Sequence, residues 1–315
     1  MQVLSVGEVL WDVFPAVEHL GGAPLNFTAN LIRLGHSAAL ITAVGDDSRG
    51  SRAVEEMVKL GIDVSGVERR EGKPTGIAIV GTTSDGEPAY DFPRPTAFDF
   101  IGIQDAALQR FKALRPQWLY FGTLAQMEPR IETVVACLRS ELSSTRCFYD
   151  INLRPGCWNL ALVQRLARAA DVLKLNEAEA EVLWNLTSLD RGRFSLERFC
   201  EQWTGLFALD CICVTLGSEG CFFYRQDEVQ IVPGYPAVVR DTVGAGDAFA
   251  AGFLHGLHRG WSLERIGRFA NALGSIVASR PGATPVWTLE ECSILAATSP
   301  QMRQRPHDDL TWETA

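Results

Sequence analysis

The sequence predicts an α/β fold, with a central, mostly parallel sheet covered by helices on both faces and a small accessory β-sheet. Three observations predict it. Short apolar runs recur along the chain, end in polar residues and are each followed by a stretch of helical spacing, the rhythm of repeated strand-helix units. The segments 9–20 and 75–92 lack that spacing and carry alternating or aromatic residues instead, which reads as a separate set of strands. The third is size and composition: 315 residues, 47% hydrophobic and 21% charged, are enough for one large core and unlike a disordered or repetitive chain.

Gln2-Val3-Leu4-Ser5-Val6-Gly7 reads as a buried strand, and residues 38–45 (AALITAVG) repeat that character after a helix-like segment. Residues 26–34 have apolar positions at helical spacing and stop at Gly35, and residues 52–60 do the same before Gly61. The later strands fall at 118–121, at 146–149 before Asp150, at 172–175 before Asn176, and at 211–215. The two non-helical segments, with lid strands inside 9–20 and 75–100 and a turn signal at Ser84-Asp85-Gly86, are placed to cover a site. The domain is expected to span 1–298. Residues 299–315 are polar, contain Pro300 and Pro306, and read as a loosely held tail.

A formal charge of −9 opposes broad affinity for nucleic acid or an anionic membrane, both of which need clustered Lys and Arg. The eight cysteines have neither a Cys-x-x-Cys pair nor a zinc spacing and are expected as buried free thiols. The first ten residues lack a basic leader pattern, and no apolar run reaches the roughly 18 residues of a membrane helix. A cytoplasmic protein is expected.

The most informative stretch is Asp241-Thr242-Val243-Gly244-Ala245-Gly246-Asp247, followed by an apolar helix. Small residues let the backbone N–H groups of Gly244, Ala245, Gly246 and Asp247 converge, and the helix dipole adds positive potential there. Such a nest suits a phosphate, and a carboxylate at Asp247 would be placed to accept a proton from an attacking hydroxyl. The same spacing also fits a capped helix with an acid in its first turn. No Gly-x4-Gly-Lys-Ser/Thr occurs, so a P-loop is excluded, and the third glycine of a dinucleotide fingerprint is missing.

Here the sequence resembles the ribokinase-like (PfkB) family of carbohydrate kinases. Residues 241–254 look like that family's C-terminal signature. Gly21-Gly22-Ala23-Pro24-Leu25-Asn26-Phe27-Thr28, then Gly35 and Gly45, look like its N-terminal one. The resemblance spans roughly 3–286 and implies a three-layer αβα fold with a β lid. It also implies ATP with Mg2+ as cofactors and Asp247 as the catalytic base beside the 244–247 anion hole. The bland alternatives at the sugar end are a turn acid at Asp12 and an N-cap at Asn26. The resemblance instead implies sugar binding at Asp12, Gly21, Gly22 and Asn26.

The run Gly7-Glu8-Val9-Leu10-Trp11-Asp12 is similar to bacterial fructokinases, which makes D-fructose the leading substrate, ahead of 2-keto-3-deoxygluconate or ribose. In that subfamily Tyr90, Phe92 and Arg94 correspond to lid-side sugar contacts, with strand packing as their plain alternative. Asp150-Ile151-Asn152-Leu153-Arg154 is similar to the family's Asp-x-Asn-x-Arg segment, which implies sugar contact at Asn152 and charge neutralisation at Arg154.

Asn176 and Glu179 have capping-box spacing, and the resemblance adds nucleotide contact at Asn176 and a magnesium role for Glu179 through water. It also implies nucleotide contact at Thr215, Gly217, Gly220 and Asn271. A potassium site is implied around Asp241, Val243, Ala278 and Ala283. A homodimer paired through the lid is a further expectation.

Overall fold

The structure is a computed structural model that describes residues 1–82, 88–188 and 193–298. The turn signal at Ser84-Asp85-Gly86 and the tail from Ser299 lie outside the described residues. In chain order the first strands are β1 (Gln2–Val6), β2 (Leu10–Val13), β3 (Glu18–Gly21), β4 (Ser37–Gly45), β5 (Asp63–Arg70), β6 (Gly76–Thr82) and β7 (Pro88–Asp91). They continue with β8 (Trp118–Gly122), β9 (Arg146–Asp150), β10 (Val172–Asn176), β11 (Cys211–Thr215), β12 (Gly220–Arg225) and β13 (Glu228–Pro233). The first five helices are α1 (Ala23–Arg33), α2 (Ser48–Lys59), α3 (Asp105–Leu114), α4 (Pro129–Glu141) and α5 (Leu160–Arg168). The others are α6 (Glu177–Thr187), α7 (Leu196–Phe207), α8 (Ala245–His258), α9 (Leu263–Ala278) and α10 (Leu289–Ala297).

Nine strands form the main sheet in the order β13-β12-β11-β10-β9-β8-β1-β4-β5, parallel from β11 to β5, with β12 and β13 added antiparallel. The near-continuous apolar strands follow from burial on both faces. One face packs with Phe121, Tyr149, Leu173 and Ile212 in one core; the other packs with Tyr120, Phe148, Val172 and Cys213 beneath α8 and α9. The segments that lack helical spacing form the second sheet, β3-β2-β6-β7, as expected. Its strand β2 sends Trp11 into a third core with Leu25, Leu40 and Met57. All eight cysteines are free thiols. No helix among the described residues is long and apolar enough to cross a membrane.

The predicted stops hold: Gly35 and Gly61, with φ of 80° and 78°, follow the capping residues Leu34 and Leu60. Two predicted starts move. Helix α2 begins at Ser48, where Asp47 accepts from Gly50 N–H, ahead of the first apolar position. Asn26 is not an N-cap; α1 starts after Gly22, one turn earlier. Gly22 has φ 114°, and a Cβ there would stand 2.4 Å from the Glu8 carbonyl oxygen, so tertiary contact sets this start.

Candidate active site

The parallel strands of an open α/β sheet present ligands at their carboxyl ends, and the site residues gather there. Strand β1 leads to Glu8, β9 to Asn152 and Arg154, β10 to Asn176, and β11 ends on Thr215. Asp12 is contributed differently from the expectation of a simple strand-end turn: it lies within β2 of the small sheet, opposite His19. Gly21 makes room for it, since a Cβ at that position would stand 2.6 Å from Asp12 Oδ2.

Asp247 is in the first turn of α8 and buried. Its Oδ2 accepts from Asn26 Nδ2 at 2.8 Å, joining α8 to α1. Burial pushes the carboxyl up to about 6 and Asp150 adds to the rise, while Lys174, Asn26 and Arg154 oppose it. Burial likewise raises Asp12 to about 6 and Glu8 to about 7, with Arg154 the leading charge that opposes both. Asp247 acts on both carboxyls in the opposite sense. Glu8, Asp12, Arg154 and Asp247 therefore form one electrostatic cluster. There two buried acceptors, Glu8 Oε2 and the Oδ1 of the adjoining Asn26, have no hydrogen-bond partner among the described residues. Such atoms cost about 1–3 kcal/mol each unless a donor arrives.

The 244–247 turn has the geometry of an anion nest. Gly244 is left-handed (φ 78°), and a Cβ on it would stand 2.1 Å from the Ala283 carbonyl oxygen, so glycine alone fits. Ala245 and Gly246 continue directly into α8; the Ala245 N–H donates to the Thr242 carbonyl at 3.2 Å, and Gly246 and Asp247 lie in the first turn, where helix N–H groups have no intrahelical partner. Gly246 is exposed, and the nearest atom to a Cβ on it would be Lys174 Nζ at 3.7 Å.

Lys174 was not singled out from sequence, yet it is the buried cation beside this turn. It donates to Asp150 Oδ1 and Oδ2 at 3.0 and 2.9 Å. Burial disfavours its charge, but Asp150 and Asp247 outweigh that and its pKa is raised. A lysine inside the apolar run Val172-Leu173-Lys174-Leu175 was the available signal, as was the acid Glu8 at the end of β1.

On the nucleotide side, Asn176 and Glu179 form the expected capping box. Glu179 Oε2 accepts from Asn176 N–H at 2.8 Å and Oε1 from Leu153 N–H at 2.7 Å, which ties α6 to the segment carrying Arg154. With one backbone bond on each oxygen, Glu179 fits a metal through an intervening water better than by direct ligation. No group of three or more His, Cys, Asp or Glu side chains among the described residues is arranged to hold a metal. Magnesium fits such a site when substrate phosphates and waters supply most of its ligands.

Other expected contacts divide. Gly217 is open, with no heavy atom within 4 Å of a Cβ on it, and Thr215 is half-buried beside it. Gly220 is not open as expected: it is buried in the β12–β13 hairpin, and a Cβ would stand 2.1 Å from the Val232 carbonyl oxygen. Asn271 is also structural, its Nδ2 donating to the Val232 and Pro233 carbonyls at 3.1 and 3.0 Å.

At the lid, Arg94 pairs with Asp99 and donates to the Leu124 carbonyl, and Phe92 packs on the main core, so both serve packing here. Tyr90 lies in β7 opposite Val80. Asn152 is left-handed, φ 45°, between Asp150 and Arg154.

The residues implied for potassium lie together around the loop that precedes α8. The Ala278 carbonyl accepts from Arg240 N–H at 2.9 Å and Asp241 N–H at 3.2 Å. Asp241 accepts from Val243 and Gly282 N–H groups, and Ala283 backs Gly244. The loop is closed by its own hydrogen bonds.

Residues 5–289 match the pfkB family of carbohydrate kinases. The chain is 30% identical over 309 residues to Fructokinase-1 of Oryza sativa subsp. japonica, covering 90% of this chain and 93% of that protein. A fructokinase from Xylella fastidiosa with bound ATP superposes with a TM-score of 0.80 at 24% identity, covering 93% of this chain and 97% of that one. A 2-dehydro-3-deoxygluconokinase from Thermotoga maritima does so with a TM-score of 0.80 at 20% identity, covering 95% and 98%. With signatures at both ends of the chain matched and the acid-and-nest geometry in place, the chain belongs to the pfkB family of carbohydrate kinases.

Proposed function

We propose that this carbohydrate kinase transfers the γ-phosphoryl group of ATP to a hydroxyl of D-fructose, O6, with Asp247 as general base. The observation that carries this reading is Asp247 itself: a buried carboxylate in the first turn of α8, held by Asn26 and adjoining a backbone anion nest. Asp247 takes the hydroxyl proton as the new O–P bond forms and the bond between the γ-phosphorus and the ADP oxygen breaks. The N–H groups of 244–247 and Arg154 stabilise the charge spread over the transferring group. Thr215 and the open Gly217 border the nucleotide, and the ATP of the Xylella neighbour supports that end of the reading. Glu179 would hold magnesium through a water, and the metal would supply further charge neutralisation at the phosphates.

Asp12, Asn26 and Glu8 receive the sugar. The unpartnered Oε2 of Glu8 and Oδ1 of Asn26 are acceptors that sugar hydroxyls satisfy. The carboxyls of Glu8, Asp12 and Asp247 outnumber the cations Arg154 and Lys174 beside them, which favours a neutral sugar over a sugar acid, whose own carboxylate would be repelled. That balance and the likeness to a fructokinase support fructose ahead of 2-keto-3-deoxygluconate. An ADP-release assay over fructose, ribose and 2-keto-3-deoxygluconate tests the substrate, with fructose expected to give the highest kcat/KM. Asp247→Asn is expected to lower kcat by roughly 10² or more while sugar still binds. Turnover within a few-fold of the parent would remove Asp247 from the mechanism.

A further inference from the structure

Helix α1 holds more than Asn26. Residues 26, 30 and 33 are spaced four and three apart, so they share one stripe of the helix. Each reaches a segment more than two hundred residues away. Asn26 donates to Asp247. Asn30, fully buried, accepts from Trp287 Nε1 at 2.7 Å, and its Nδ2 is fixed on the Asn26 carbonyl at 2.8 Å. The Arg33 guanidinium donates to the Thr284 carbonyl at 3.0 Å and to the Pro285 carbonyl.

The segment so gripped is the wall of the anion nest. Gly282 N–H donates to Asp241 Oδ2 at 2.9 Å, and Asp241 Oδ1 accepts from Val243 N–H at 3.0 Å, just before the nest. The Ala283 carbonyl is packed against Gly244 with no space for a Cβ between them. One rigid element therefore sets both the base and the backing of the turn that receives the phosphoryl group.

We propose that Asn30 and Arg33 are positioning residues for phosphoryl transfer, holding the 282–287 segment against Gly244 so that the nest stays in register with Asp247. Neither touches a reacting atom. When the wall retracts, the left-handed turn at Gly244 loses its support and its N–H groups re-aim. A displacement of about 1 Å at a reacting centre can cost roughly 10²-fold in rate. The inference rests on the assignment of Asp247 and the nest made above.

The test compares Arg33→Met and Trp287→Phe, which each remove one grip, with Asp247→Asn in the same fructose and ATP assay. Each protein's melting curve is recorded alongside. Both grip variants are expected to lose roughly tenfold or more in kcat with sugar KM within about twofold of the parent, because sugar contacts lie elsewhere. In an Asp241→Asn background, where the wall is already released, Arg33→Met is expected to add little, a non-additivity that a purely structural role would not give. Parent-like kcat in folded Arg33→Met and Trp287→Phe, with Asp247→Asn inactive, overturns the positioning role alone. An active Asp247→Asn overturns the underlying assignment instead. Where Arg33→Met does not fold, Trp287→Phe decides alone, and parent-like kcat in that folded protein overturns the positioning role.

Discussion

At the scale of single residues, the proposed base is governed by its burial first and then by its neighbours' charges. Asp247 is lifted to about 6 by burial and by Asp150, and is held down by Lys174. A general base must be ionised, so kcat/KM is expected to fall below about pH 6, close to tenfold per unit. The two neighbours give opposite signs. Asp150→Asn removes a negative charge and should move this acid limb to lower pH; Lys174→Met should move it to higher pH. Limbs that stay together in all three proteins would show that another group titrates. Lys174→Met also strands Asp150, 1% exposed, without its cation and should destabilise the fold by about 3–5 kcal/mol. Sequence reading reached Asp247 because an acid after Gly-Ala-Gly is a local pattern. Lys174 and Arg33 stayed silent because their meaning depends on partners distant in sequence.

At the scale of elements, α8 is aimed by its packing on α9. Gly252 and Gly256 stand one turn apart, and a Cβ at Gly252 would come 3.1 Å from Ala270 Cα. At Gly256 it would come 2.7 Å from Ile266 Cγ1. Gly256→Ala gains about 0.5–1 kcal/mol of helix propensity and loses about 1–3 kcal/mol to overpacking, so a net loss is expected. Thermal melting should show that loss, while kcat of the folded enzyme stays near the parent because Asp247 lies at the other end of the helix. Local rules read many elements well: glycine stops after α1 and α2, the Asn176–Glu179 capping box, and apolar strands ending in polar residues. They failed where packing decides. Asn26 looked like a cap because nothing nearby in sequence reveals Gly22 pressed on Glu8. Gly220 looked open because the hairpin strand that covers it comes later in the chain.

At the scale of the whole molecule, two sets of buried titratable groups oppose each other. His36 and His255 share a hydrogen bond of 2.8 Å at the end of α8 remote from Asp247. Burial first, and then neighbouring positive groups including His258 and Arg259, hold His36 at about 3 and His255 at about 4. The unfolded chain binds these protons near pH 6.5, so this pair loses stability as pH falls below that. Glu8, Asp12 and Asp247 do the reverse, because their folded values are raised and the native state takes up protons first. The two sets are comparable in size, and the parent's melting temperature is expected to be nearly flat between about pH 6.5 and 5. His255→Gln, which removes part of the first set, should melt higher at pH 5 than at pH 6.5. A parallel, unshifted profile would show that the histidines do not titrate as their burial implies.

The small sheet that carries Asp12 is packed into the rest of the molecule: Leu10 and Ala78 belong to one main-sheet core and Trp11 to the third core with Leu25 of α1 and Leu40 of β4, whereas α8 packs in the other main-sheet core. On the proposed mechanism, acceptor choice and transfer chemistry therefore share a frame, because α1 enters the third core through Leu25 and holds Asp247 through Asn26.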